Sequence, residues 1–163
     1  MQSAEEIVKA LGLVPLETEG GMYRQTWRGR EGPDGHPLGT AIFFLLSPKS
    51  FSHLHRLPTD EIYHFYLGDP VELSLLLPEG KTETILLGQD LAAGQVPQAI
   101  APAGSWQGSR LRQGGRYALI GTTMAPGYIP SDYEHAGDIA ALRAAYPDAG
   151  AIIDALTGET VYI

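Results

Sequence analysis

Short runs of apolar and polar residues alternate along most of this chain, broken by Gly, Pro and Asp, which is the pattern of many short strands joined by turns. The alternation predicts strands at 21–28, 39–46, 50–55, 61–67, 71–77, 82–87, 97–101, 105–111 and 115–123. Gly32-Pro33-Asp34-Gly35 marks a long hairpin loop within 29–39, and Leu77-Pro78-Glu79-Gly80-Lys81 a short one. Helical periodicity is confined to the two ends. Ser3 can cap a helix running to Leu11, with Glu6 in the capping-box position and Gly12 as its stop. Asp138 can start another through Ala145, which Pro147 ends. The tail to Ile163 mixes apolar pairs with a Thr157-Gly158 turn. No repeat or linker interrupts the series. The economical architecture is one all-β domain over 1–163, a two-sheet jelly-roll barrel with short flanking helices at both termini.

One stretch concentrates chemistry within this strand pattern. Ser52 to Gly68 holds three of the five histidines. In extended backbone the side-chain period is two, so His53 and His55 are expected on one face and Leu54 on the other. After a turn at Pro58-Thr59-Asp60, a second alternating run puts Glu61, Tyr63, Phe65 and Leu67 on one face and Ile62, His64 and Tyr66 on the other. Neutral imidazoles with a carboxylate can bind a divalent cation, and without a metal the same groups can move protons. Burying them unpaired costs several kcal/mol, so they require partners. His64 is expected to hydrogen-bond within the protein or at a subunit contact.

The spacing His53-x-His55, Glu61, Gly68, followed by Pro102-Ala103-Gly104, resembles the two sequence motifs of the cupin superfamily. The resemblance implies a double-stranded β-helix in which His53, His55 and Glu61 are metal ligands and Gly68 closes a strand. The interval from His55 to Glu61 is one residue longer than usual. Asp60 would restore the count, but Glu61 keeps the distance to Gly68 and the alternation. The His that completes the usual metal site is replaced by Gln107, whose amide is a poorer ligand than imidazole for zinc, nickel or iron. The whole chain more closely resembles one subgroup, cupin family five, a domain of unknown function. The similarity runs from about Glu5 to Pro147 and rests on segments such as Gly21-Met22-Tyr23-Arg24, Thr40 to Leu46, Leu91 to Gln95, Pro102 to Trp106 and Ala125-Pro126-Gly127-Tyr128.

Composition narrows the setting. A chain of 163 residues with 44% apolar content can fill a real core. Without cysteine, it has no disulfide, thiolate ligand or Cys nucleophile. The net charge of −8, with 11 scattered basic residues, argues against nucleic-acid binding. No basic leader precedes an apolar core and no apolar run could cross a bilayer, so a cytoplasmic protein without membrane partners is the expectation. Arg24, Arg56, Arg110 and Arg112 lie in or beside strands and could give a local anion site or merely bridge and snorkel at a rim.

The residues expected to face the interior are His53, His55, Glu61, Tyr63, Phe65 and Trp106 or Gln107. The fold analogy leaves three readings open. The first is a metal-free epimerase or isomerase of a sugar-like or acidic metabolite, with His55 or His53 as base, Glu61 orienting it and Tyr63 as acid; Phe65, Trp106, Gln107, Arg24 and Arg56 would contact the ligand. The second is a metal-dependent oxygenase or isomerase using His53, His55, Glu61 and Gln107. The third is a non-catalytic metabolite-binding protein. No cofactor is expected beyond a weakly held divalent metal. The open edges of a jelly roll and the apolar 40–46 strand suggest a homodimer.

Overall fold

The computed structural model describes residues 2–163. Its strands are β1 (Val14–Pro15), β2 (Met22–Arg28), β3 (Thr40–Leu46), β4 (Phe51–Arg56), β5 (Glu61–Gly68), β6 (Val71–Leu76), β7 (Thr82–Leu87), β8 (Gln98–Ala101), β9 (Trp106–Leu111), β10 (Ala118–Met124) and β11 (Glu134–His135). The helices are α1 (Ala4–Leu11), α2 (Ile139–Ala145) and α3 (Gly150–Ala155). A six-stranded sheet, ordered β1-β2-β3-β10-β5-β8, faces a five-stranded sheet, ordered β11-β4-β9-β6-β7, and every strand pairing is antiparallel. This is the all-β jelly-roll arrangement that the turn spacing predicts.

Each sheet is covered on its outer face over part of its area, and the alternation says how. On β3, Phe44 and Leu46 turn inward to meet Phe65, Leu73, Leu75 and Ile120, while Leu45 turns outward under Ile7 of α1 with Met22 and Leu119. The outer face of the second sheet, through Leu54 and Leu76, is covered by Leu142 of α2 and Ile153 of α3. Burying each such Leu or Ile contributes roughly 1.5–3 kcal/mol. The apolar filling occupies one end of the space between the sheets and leaves the other end to a cavity.

The helix ends follow their sequence signals. Ser3 Oγ accepts the Glu6 N–H while the Glu6 carboxylate accepts the Ser3 N–H, and Gly12 closes α1 in left-handed backbone at φ 62°. Asp138 caps α2 through the Ala141 N–H at 2.9 Å. Gly68 ends β5 at φ +103°, where a Cβ would lie 2.4 Å from the Tyr117 carbonyl oxygen, so only glycine fits.

Four features depart from the sequence expectations. β10 begins at Ala118 rather than at 115, because the Gly115 N–H closes a turn onto the Arg112 carbonyl. α3 has no side-chain cap and follows the turn Pro147–Ala149, so it lacks a local start signal. A bulge sits in β5 between Phe65, paired with Ile120, and Leu67, paired with Leu119. It sends Leu67 to the outer cluster beneath α1, away from Phe65. Finally, β3 is an interior strand between β2 and β10, so its apolar sequence serves two covered faces and offers no edge. Among the described residues, no helix is long and apolar enough to cross a membrane.

Candidate functional site

A second bulge, in β4, decides which histidine reaches the cavity. Ser52 pairs with Ser109 and His55 with Gln107, so the step along β4 is one residue longer than its match on β9. Gly108 lies opposite the extra residue, where a Cβ would come within 2.8 Å of the Ser52 carbonyl oxygen. Across the bulge the His53 N–H donates to the Glu19 carbonyl at 2.8 Å and the Leu54 N–H to the Leu156 carbonyl at 2.9 Å. Leu54 therefore stays outward in the helical cluster, and His55 lines the cavity. His53 does not line it. Its buried ring lies against His135 with centroids 3.9 Å apart. Burial lowers the pKa of His53.

The cavity, about 620 Å³, opens between the sheets. The first sheet contributes Glu61, Thr122 and Tyr23, the second His55, and the loops Glu19, Tyr128 and Tyr133. His55 is 2% exposed, and its Nδ1 lies 2.7 Å from the His53 carbonyl oxygen. A carbonyl only accepts, so Nδ1 carries the proton and Nε2 holds the lone pair of the neutral ring. The Tyr133 ring stacks on His55, and its hydroxyl donates to the Thr18 carbonyl at 3.1 Å, tying the two loops together at the cavity.

Glu61 opens β5 directly after the turn and is 7% exposed. Gln107 Nε2 donates to Glu61 Oε2 at 2.9 Å, and Gln107 Oε1 accepts from the Tyr63 hydroxyl at 3.1 Å. Burial raises the pKa of Glu61, opposed by His55 nearby. Burial also raises Tyr63 well above the usual tyrosine range. Glu19 accepts a hydrogen bond from the Ser52 hydroxyl.

Of the residues singled out from sequence, His55 and Glu61 thus share the cavity wall, with Gln107 fixing Glu61 from behind. Tyr63 and Phe65 belong to the apolar filling. Trp106 packs on the helical side of the second sheet, with the Arg56 guanidinium 4.7 Å over its ring and that guanidinium paired with Glu134. Arg24 lies over Phe43 at 5.7 Å, and Arg110 pairs with Glu72. Neither Arg24, Arg56, Arg110 nor Arg112 lines the cavity. Asp60 accepts the Ala103 N–H at 2.8 Å, leaving Glu61 as the carboxylate in the site. His64 Nε2 lies 3.0 Å from the Thr123 hydroxyl, an intramolecular partner.

Sequence reasoning missed Glu19, Tyr128, Tyr133 and His135. Tyr23 and Tyr128 stand in segments that carried the family resemblance, which was the available signal. Glu19 and Tyr133 lie in loops without periodicity.

The donor set does not fit a tightly held metal. His53 is displaced by the bulge, Gln107 spends its oxygen on Tyr63, and only His55 and Glu61 of the four supposed ligands line the cavity. Among the described residues, no three His, Asp or Glu side chains are gathered as a metal-binding group.

Residues 5–136 match the family model described as the cupin superfamily, DUF985. A protein of Shewanella oneidensis of known crystal structure is 37% identical, with a TM-score of 0.89 over 98% of this chain and 99% of that one. A hypothetical protein from Leishmania major is 31% identical, with a TM-score of 0.87 over 97% and 100%. Bacillus subtilis oxalate decarboxylase is 13% identical, with a TM-score of 0.57 over 92% of this chain and 38% of that one, a likeness of fold alone. Comparison with curated proteins gives no match.

Proposed function

The chain belongs to the cupin superfamily, in the family described as DUF985, and from that premise we propose that its cavity binds a small hydroxy-carbonyl metabolite and acts on it as a metal-free epimerase or isomerase. The observation that carries this reading is His55. Its Nδ1 is tied to a backbone carbonyl, its Nε2 has no hydrogen-bond partner among the described residues, and its ring lines a cavity with a buried carboxylate.

Nε2 is the base. It takes a proton from the carbon beside the carbonyl, the C–H electron pair forms the enediolate, and negative charge moves to the carbonyl oxygen. As the ring becomes imidazolium, its Nδ1–H bond to the His53 carbonyl strengthens, and Glu61 stabilises the positive charge. A tyrosine hydroxyl delivers a different proton to the opposite face, after which solvent takes the proton from the imidazolium and returns one to the tyrosinate. Tyr63 is occupied with Gln107 away from the wall, so this role passes to Tyr128, which lines the cavity and whose burial raises its pKa and keeps it protonated at neutral pH. A homodimer joined at an edge accompanies this reading: the outer strands of the six-stranded sheet expose Val14 on β1 and Ile100 on β8.

The test is exchange of the C2 proton of aldoses in deuterated water, followed by proton NMR with the parent and His55→Ala. Enzyme-dependent exchange should fall by at least about 10²-fold in the variant, with its circular dichroism unchanged. Equal exchange in both proteins would remove His55 as the base. Saturable binding with no exchange in the parent would leave a non-catalytic carrier or sensor.

A further inference from the structure

The cavity wall is rich in acceptors and poor in cations. Glu19 and Glu61 stand on it with Glu17 at the rim. Among the described residues no Arg or Lys side chain pairs with any of the three. The one Arg or Lys among the wall residues, Arg28, is exposed and already paired with Glu31. Independently of the carboxylates, the buried His55 lines the cavity with Nδ1 held by the His53 carbonyl, and among the described residues no side chain or backbone group hydrogen-bonds its Nε2. Tyr23, Tyr128 and Tyr133 add aromatic faces around the same space.

From this we propose that the ligand is an organic cation, a small molecule carrying an ammonium group beside its hydroxyls, and that anionic metabolites are excluded. An ammonium brings only donors, three of them, to a wall that presents two carboxylates and the His55 Nε2 lone pair as acceptors, and its charge is attracted by both carboxylates and by the tyrosine rings. A carboxylate or phosphate would meet Glu19 and Glu61 with no unpaired Arg or Lys on the wall to offset them. The placement of the arginines has the same sense: none of the four candidates for an anion site lines the cavity, and two of them, Arg24 and Arg56, are stacked on Phe43 and Trp106. This inference rests on the cavity of the proposed function but not on its catalysis.

The experiment is calorimetric titration of the full chain with three probes on one skeleton: glucosamine, glucose and glucuronate. Glucosamine should bind at least about tenfold more tightly than glucose, the size of one charge-assisted hydrogen bond, and glucuronate should not bind. Glu19→Gln and Glu61→Gln should each weaken glucosamine by at least about tenfold. Glu83→Gln, the same charge change on exposed β7, should leave it unaltered. Glucuronate binding as tightly as glucosamine, or glucosamine binding that ignores both cavity substitutions, overturns the inference. Failure of all three probes to bind at 10 mM, about the weakest affinity such a titration resolves, overturns it too. Tight glucosamine binding without proton exchange would support the cation site and refute the catalytic role of His55. Exchange on glucose or glucuronate with no preference for glucosamine would do the reverse.

Discussion

The ring of Tyr133 lies flat on the imidazole of His55, with centroids 5.0 Å apart and planes 16° apart. The contact joins a loop residue to a strand residue. It restricts the histidine ring from one side while the His53 carbonyl holds Nδ1. Tyr133→Phe keeps the stack and loses only the hydrogen bond to Thr18, so glucosamine affinity should stay within about threefold, at a stability loss of about 1 kcal/mol. Tyr133→Ala should weaken binding by about tenfold or more. Hydrogen exchange across residues 15–20 should speed up in both variants. An Ala variant that binds like the parent would separate the stack from ligand binding.

Glu61 should act on stability through its burial. Burial raises its folded pKa above the ordinary glutamate range. Its contribution is therefore present below the unfolded pKa and lost as the pH rises through the folded value, so at neutral pH the buried carboxylate is a cost. Glu61→Gln removes the charge and can still accept from Gln107. The melting temperature should rise by roughly 2–4 °C at pH 7, the effect of about 1 kcal/mol in a chain of this size, with no gain below about pH 4. A variant less stable than the parent at pH 7 would show that the carboxylate is stabilising instead.

His53 should work in the opposite sense. Its folded pKa is lowered from 6.5, chiefly by burial, so it contributes stability above the unfolded value that is lost as pH falls through the folded one. Urea unfolding of the parent at pH 7.5 and pH 5.5 should reveal this loss, and His53→Gln should flatten it. Identical pH slopes for parent and variant would locate the acid sensitivity elsewhere.

Gln107 faces His55 across the β4–β9 pairing and holds Glu61. Replacing it with His supplies a third strong donor beside the two on the cavity wall. Gln107→His should bind nickel or zinc stoichiometrically, with the parent binding weakly, as read by elemental analysis and calorimetry. Stoichiometric metal in the parent that survives mild chelation and disappears in His55→Ala would replace the proton-transfer reading with a metal centre using Gln107 as ligand.

Much of the fold is local and therefore legible. Ser3, Glu6 and Gly12 bound α1 through contacts within a few residues. The alternation on β3 tells Phe44 from Leu45 because successive side chains on a strand must point oppositely. His55 and Glu61 were legible as a pair for the same reason, and the choice of Glu61 over Asp60 followed from the strand pattern.

What the sequence by itself determined is nine of the eleven described strands, their turns and the caps of α1 and α2, the two-sheet class and the two central chemical groups, because each depends on periods and signals spanning a few residues. The tertiary structure alone decided the rest. The bulges at His53-Leu54 and at Tyr66 depend on strands β9 and β10, distant in sequence, and each reverses the face of a residue that strict alternation assigns. The arginines were assigned by their partners Phe43, Trp106, Glu134 and Glu72. Glu19 and Tyr133 come to the cavity through long-range hydrogen bonds, from the His53 N–H to the Glu19 carbonyl and from the Tyr133 hydroxyl to the Thr18 carbonyl. A loop has no period to read, so its place at the site is set by the partners that its backbone and side chains find when the chain closes.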